Sequence, residues 1–259
     1  MATSWATEYF ERPGTVAEWW DPLSSDDPAF RDWFVEQLED VLRLCRPQGK
    51  TVLDAGTGRG RAAVACALAG ADEVIAVDVS DEMLGHARAL STEHGVASRI
   101  RFVQGDLGRL PIADGQCDVA LLLEIILHLS DPEQVLRELA RVLAPGGVLV
   151  VTTNGANPLS RLLQAAKGGA NPAPRWKLAA ATAVNEVMTA GFGFTWSRTK
   201  TTDRLYQRFF NAPVRPLYPW QMRRMLENAG FDSVYHRPCP NSLVPREHRW
   251  VALKAAPAL

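Results

Sequence analysis

Acidic side chains stand where apolar, strand-like runs end, and the first of them is followed at once by glycines. Asp54 closes the run that begins at Thr51, and Gly56, Gly58 and Gly60 follow it. Glycine adopts positive φ readily and lets a ligand approach the backbone. The helix-forming run after the glycines would add unpaired N–H groups that favour an anion. These residues predict a pocket for a small ligand, and a glycine-rich turn without a ligand is the alternative.

Two further acids end the next two runs. Asp78 closes the second run, where a carboxylate can accept two hydrogen bonds from a ribose diol. Asp106 follows Gly105 after the third run, where it could accept a hydrogen bond from an adenine amino group. The set predicts a nucleoside ligand. Each acid also has a structural interpretation, because Asp78 precedes a helix start at Ser80 and Gly-Asp is a common turn dipeptide.

The glycine spacing separates two kinds of nucleotide site. The dinucleotide fingerprint G-x-G-x-x-G, counted from Gly56, needs a glycine where Arg61 stands. The sequence also has no G-x-x-x-x-G-K-[ST] phosphate loop. A nicotinamide oxidoreductase is therefore disfavoured.

The elements that hold these residues alternate between strand and helix. Near-continuous apolar runs are typical of parallel strands covered on both faces. The pattern predicts an α/β fold with a doubly wound, Rossmann-like, seven-stranded and mostly parallel sheet. Strands are predicted at 51–55, 73–78, 100–104, 117–123, 147–153, 232–237 and 248–254, and helices at 28–44, 60–69, 81–94, 132–143 and from 219 to a C-cap at Gly230.

Four segments are predicted along the chain. Residues 1–48 form an N-terminal helical cap, and residues 49–154 form the ligand-binding core. Residues 155–215 form an inserted helical lid before the last two strands, since the alternation stops there and glycine and proline become frequent. Residues 216–259 complete the core.

Composition bounds the class of protein. The chain has 259 residues, of which 47% are hydrophobic and 22% charged, an ordinary globular balance. Residues 1–159 carry 13 Lys and Arg against 24 Asp and Glu, whereas residues 160–259 carry 15 against 5. The basic part predicts contact with an anionic group or membrane surface. Packing of two oppositely charged regions explains the asymmetry equally well.

Cysteine usage and the N-terminus indicate the compartment. The four cysteines are scattered, without a C-x-x-C pair, which predicts reduced thiols in the cytoplasm. We expect no signal peptide, no transmembrane segment and no metal site. The arginines of the C-terminal part are dispersed, so we expect no nucleic-acid partner.

The order of motifs from Thr51 to Thr153 resembles that of the class I S-adenosylmethionine (SAM) methyltransferases that act on small molecules. A strand ending in Asp54 before G-x-G-x-G is similar to their first motif. The longest match, Cys117 to Thr153, contains H-L-x-D-P and L-R-E-x-x-R-x-L-x-P-G-G. The resemblance implies SAM as cofactor. It also implies methyl transfer to an oxygen or nitrogen of an anionic, lipid-like or secondary metabolite.

The resemblance also implies a contact for each part of the cofactor. Asp54 would hold the ammonium group, directly or through water. Glu124 would lie where the cofactor meets the substrate. The other implied contacts are Gly56, Thr57 and Gly58 on the methionine portion and ribose, Asp78 on the ribose hydroxyls, Val79 beside the adenine, and Met83, Gly105, Asp106 and Leu107 around it.

Methyl transfer from a sulfonium is an in-line displacement in which the protein mainly positions the reactants. A general base is needed only where the nucleophile must lose a proton. His128, four residues after Glu124, is the candidate base, and packing under the lid is its alternative. No [DNS]-P-P-[YFW] follows the fourth strand, which disfavours the amino-methylating nucleic-acid enzymes.

A rival hypothesis keeps the cofactor site and changes the reaction. The motifs do not specify the nucleophile, so a cyclisation or a binding role stays open. The predicted lid and the residues beside it carry aromatic side chains that could line a substrate cavity, form a lid core or contact a second subunit in a homodimer. These are Trp176, Trp196, Tyr206, Phe209, Phe210 and Tyr218.

Overall fold

The computed structural model describes residues 28–154, 219–238 and 247–255 of the chain. Two 3₁₀ turns, Ala97–Arg99 and Ile126–His128, accompany its main elements. In chain order these are α1 (Pro28–Cys45), β1 (Thr51–Ala55), α2 (Arg61–Leu68), β2 (Glu73–Asp78), α3 (Asp81–Glu93), β3 (Ile100–Gln104), β4 (Cys117–Leu123), α4 (Pro132–Val142), β5 (Leu143–Asn154), α5 (Pro219–Asn228), β6 (Phe231–Pro238) and β7 (Glu247–Lys254).

The strands form one seven-stranded sheet in the order β3-β2-β1-β4-β5-β7-β6. The first five strands of that order pair in parallel. Only β7 runs the other way, antiparallel to both β5 and β6. The predicted seven-stranded, mostly parallel sheet is therefore confirmed. The strand order reverses between β1 and β4, and ligands of open α/β sheets bind at the carboxyl edge of such a switch point.

Helices cover both faces of the sheet, which explains the continuous apolar runs. Successive side chains of a strand point to opposite faces. In β1, Val52 packs in the cluster that contains α1 and α2, whereas Leu53 packs in the cluster that contains α4 and α5. Both side chains are fully buried.

Local signals fix the helix ends near the carboxyl edge. The Ser80 hydroxyl accepts a hydrogen bond from the Met83 N–H at the start of α3. The Asp131 carboxylate accepts one of 2.9 Å from the Gln134 N–H at the start of α4, where Pro132 is the first helical residue. Such N-caps satisfy backbone donors that a helix start leaves open.

The predicted bounds agree with the structure except at the start of β5. The strand begins at Leu143 rather than at 147, so that Gly146 lies inside it. Cys117 pairs with Leu143, and the regular register resumes only where Val119 pairs with Val148. Gly146, at φ 76°, allows the chain to bulge out between these pairs.

The predicted lid at 155–215 and residues 1–27 of the predicted cap lie outside the described residues. Helix α1 occupies the helix predicted at 28–44. None of the described helices is long and apolar enough to cross a membrane.

Candidate functional site: the carboxyl edge beside the glycine loop

The three glycines after β1 all have positive φ, but for different reasons. A Cβ on Gly56 would stand 2.6 Å from Cγ1 of Ile125, and one on Gly60 would stand 2.6 Å from Cβ of Ala87. A Cβ on Gly58 would meet nothing within 4 Å. Packing therefore demands the outer two glycines, whereas the middle one faces open space where a ligand can approach.

Asp54 lies at the base of this loop, with only 2% of its surface exposed. Its carboxylate accepts a 2.7 Å hydrogen bond from the Thr57 hydroxyl and another from the Ala63 N–H at the start of α2. Burial raises the pKa of Asp54 to about 6, and the Thr57 and Ala63 hydrogen bonds oppose that rise. The charge of Asp78 adds slightly to it.

Asp78, at the end of β2, joins two backbone segments. One carboxylate oxygen accepts a 2.8 Å hydrogen bond from the Gly58 N–H, and the other accepts one of 3.0 Å from the Ser80 N–H. Burial raises the pKa of Asp78, and these N–H groups oppose the rise. Asp78 therefore organises the backbone ahead of α3 and lies beside the open side of the glycine loop, and its contact with a ribose stays a prediction.

The end of β3 lies against the end of β2. The Gly105 N–H donates to the Asp78 carbonyl over 2.9 Å, and the Gln104 amide donates to the Val79 carbonyl over 3.0 Å. Asp106 accepts a 2.9 Å hydrogen bond from the Gly108 N–H, as a turn residue does. Met83 and Leu107 are more than nine-tenths buried.

Arg141, for which the sequence predicted no role, holds the segment after Asp106. Arg141 on α4 donates to the carbonyls of Leu110 and Ile112 and to the carboxylates of Asp114 and Glu138. These two ion pairs raise the pKa of Arg141 further above its usual range. The E-x-x-R spacing of Glu138 and Arg141 was the only signal of this role in the sequence. The carbonyls that Arg141 binds could be identified only from the fold.

The segment after β4 approaches the glycine loop from the other side. Glu124 follows β4 with φ 58°, a left-handed conformation that is uncommon outside glycine. Ile125 then packs on Gly56. His128 ends the 3₁₀ turn that comes next, and its N–H donates to the Ile125 carbonyl over 2.9 Å. Glu124 and His128 are both half-buried.

The loop ends described above are thus neighbours, and the sequence of the region that forms them matches a known family. Residues 53–151 match the profile described as Methyltransferase domain. These residues therefore form a methyltransferase domain that resembles the class I SAM-dependent type. The cofactor of such a domain is SAM.

Named relatives match this chain over only part of their own length. The ubiquinone biosynthesis O-methyltransferase of Bordetella avium is 35% identical over 149 residues, which are 57% of this chain and 60% of the relative. Methyltransferase GfsG of Streptomyces halstedii is 37% identical over 134 residues, 51% of this chain and 48% of that protein. The chain thus spans about three fifths or less of these relatives.

Solved structures share the fold of this chain. A SAM-dependent methyltransferase from Aquifex aeolicus superposes with a TM-score of 0.58 at 21% identity, covering 91% of this chain and 99% of that one. The [4+2]-cyclase SpnF superposes with a TM-score of 0.61 at 17% identity, covering 94% of this chain and 91% of that one.

The residues at the carboxyl edge of the sheet fit the cofactor of such a domain. The open side of Gly58 leaves room beside the backbone for a ligand. Two buried carboxylates, Asp54 and Asp78, make the edge electronegative, which suits a ligand that carries an ammonium and a sulfonium. The Asp78 carboxylate accepts hydrogen bonds from the Gly58 and Ser80 N–H groups, and the lone pairs of its two oxygens also allow it to accept one from a ribose hydroxyl.

The fold brings most of the predicted site residues together. Asp78 connects the residues that follow β1, β2 and β3, because it accepts hydrogen bonds from the Gly58 and Gly105 N–H groups. The segment after β4 reaches the same place through the contact of Ile125 with Gly56. Their individual roles stay predictions. Among the described residues, no three His, Cys, Asp or Glu side chains are grouped so that they could hold a metal ion.

Proposed function

We propose that this protein transfers the methyl group of SAM to an oxygen or nitrogen of a small molecule. The observation that carries the proposal is the methyltransferase domain at 53–151, with Asp54 and Asp78 buried beside its glycine loop. The relative from Bordetella avium is named an O-methyltransferase, which favours oxygen as the acceptor atom. The basic segment from residue 160 onward favours an anionic or lipid-like acceptor.

For the cofactor we propose the contacts that the resemblance implies, which the neighbouring positions of these residues along the edge support. Asp78 accepts hydrogen bonds from the ribose hydroxyls, and Asp54 attracts the ammonium group from below the loop, directly or through water. The remaining contacts are Gly56, Thr57 and Gly58 with the methionine portion and ribose, Val79 beside the adenine, and Met83, Gly105, Asp106 and Leu107 around it.

The acceptor lies on the side of β4. SAM supplies an electrophilic methyl group when it is bound. The chain contributes position, because Glu124 and His128 follow β4 at the same edge. His128 takes the proton from an acceptor hydroxyl or ammonium that must lose one.

A second candidate keeps the cofactor and changes the reaction. The likeness to a [4+2]-cyclase extends over 94% of the chain, although it concerns the fold alone. The contacts proposed for the cofactor leave the nucleophile unspecified. A cyclisation, or a role in binding SAM or S-adenosylhomocysteine (SAH), therefore remains the alternative. The cytoplasmic location, the absence of a nucleic-acid partner and a homodimer stay predictions.

Calorimetric titration with SAM, SAH and NADH tests the first step. We expect micromolar SAM and SAH binding and none for NADH. Release of SAH is then followed with phenols, catechols, carboxylates and amines as acceptors, with Asp78→Ala as the inactive control. Cofactor binding without SAH release across this set would favour the second candidate, and absence of SAM binding would contradict both.

A further inference from the structure

Strand β5 contains a buried hydroxyl at the point where its pairing with β4 ends. Thr152 is fully buried and follows Leu149, Val150 and Val151, which are fully buried and apolar. A buried hydroxyl without a hydrogen bond is costly. The partner of Thr152 therefore indicates why a polar side chain stands at this position.

That partner is the backbone of Glu124. The last residue pair between β4 and β5 is that of Leu123 with Thr152. The next N–H, that of Glu124, donates both to the Thr152 carbonyl over 3.1 Å and to the Thr152 hydroxyl oxygen over 3.2 Å. The hydroxyl thus contacts the first peptide group that leaves the sheet.

Glu124 needs such support because its own conformation is unfavourable. Its φ of 58° brings Cβ close to the following carbonyl, a strain that persists only where neighbouring groups hold it. The turn made at Glu124 directs the chain so that the side chain of Ile125 lies against Gly56. Thr152 is therefore connected to the cofactor loop through two residues.

We propose that Thr152 is a positioning residue that holds Glu124 in its left-handed conformation and thereby sets the acceptor side of the cofactor loop. The inference rests on the proposed function, because it assigns Thr152 to the same site. Thr152 acts through the Glu124 backbone, without touching the cofactor or substrate.

The test compares Thr152→Val, which keeps the branched shape, with Thr152→Ser, which keeps the hydroxyl. Calorimetry with SAH is expected to show about fivefold weaker binding for the valine variant and near wild-type binding for the serine variant. Ser91→Ala is the matched control, since Ser91 is a fully buried hydroxyl that donates to the Arg88 carbonyl on α3. We expect it to lower the melting temperature and leave SAH affinity unchanged.

A double-mutant cycle shows whether the hydroxyl acts through Glu124. Glycine adopts positive φ without strain, so Thr152→Val should cost little further SAH affinity or melting temperature in a Glu124→Gly background. Equal losses in both backgrounds, or wild-type affinity and stability for Thr152→Val, would overturn the inference. If wild-type protein binds no SAH, the proposed function fails, and the cycle in melting temperature still decides the role of Thr152.

Discussion

The hydroxyl of Thr57 donates a 2.7 Å hydrogen bond to the carboxylate of Asp54, whose exposed fraction is only 2%. The bond closes the glycine loop onto the end of β1. It offsets part of the cost of burying a charge, but the pKa of Asp54 still rises to about 6. Asp54 therefore stabilises the loop most when it is protonated.

This raised pKa predicts how stability depends on pH. The folded pKa lies above the unfolded value of about 3.9, so the folded state holds a proton that the unfolded state has lost. The contribution of Asp54 to the free energy of unfolding should fall as pH rises from about 4 to 6, by on the order of 2 kcal/mol. Urea unfolding of wild-type protein and Asp54→Asn at pH 4.5, 5.5 and 7 measures it. Parallel profiles for the two proteins would contradict the assignment.

Asp78 is expected to dominate cofactor affinity. Asp78→Ala removes the acceptor proposed for the ribose and should weaken SAM and SAH binding about 10-fold or more, because hydrogen bonds to charged groups are among the strongest. Asp78→Asn keeps one acceptor oxygen and separates loss of charge from loss of the side chain. Calorimetry at constant salt measures all three proteins. Unchanged affinity in Asp78→Ala would remove the ribose assignment.

Gly60 should be required for packing and not for the ligand. Gly60→Ala combines positive φ with a contact to Ala87 that is too close, so we expect a loss of about 2–4 kcal/mol in the free energy of unfolding. Ala87→Gly removes the facing methyl group, so the double variant should regain part of the lost free energy of unfolding. Gly58→Ala carries strain but no clash, so it should lower SAM affinity more than stability. Equal losses of stability and of SAM affinity in Gly60→Ala and Gly58→Ala would contradict this distinction.

Arg141 should stabilise the segment that carries Asp106. Arg141→Met leaves the Leu110 and Ile112 carbonyls without their charged donor, and we expect a loss of about 2 kcal/mol in the free energy of unfolding. Arg141→Lys keeps the charge but cannot reach all four acceptors, so it should recover only part. Arg137→Met, on the exposed side of the same helix, is the control and should cost little. A loss as large in the control would argue for a general effect on α4.

A buried ion pair holds α1 on the sheet. Arg249 of β7 is 3% exposed and pairs with Asp40 of α1. Arg249→Met should destabilise by about 2 kcal/mol, because the partly buried Asp40 carboxylate loses its buried partner and keeps the exposed Arg43. Replacing both residues, as in Asp40→Leu with Arg249→Met, should recover much of the loss. If the double variant is worse than the single one, the ion pair itself is stabilising.

The sequence predicted the elements well where the signal is local. Apolar runs and caps such as Asp131-Pro132 placed strands and helices within a residue or two of their observed bounds. The predicted start of β5 was wrong, because the strand is extended to Leu143 by its pairing with Cys117 of the neighbouring strand. The contact of Thr152 with Glu124 joins residues 28 apart in the chain, so no short motif could have revealed it.

The position of β7 has a consequence for synthesis on the ribosome. It follows β6 in the chain but lies between β5 and β6 in the sheet. Until β7 has emerged from the exit tunnel, β6 lacks its partner and β5 exposes an open edge to other nascent chains. We therefore expect chains truncated before Glu247 to expose a strand edge that invites aggregation, even though every residue of the cofactor loop has already been made.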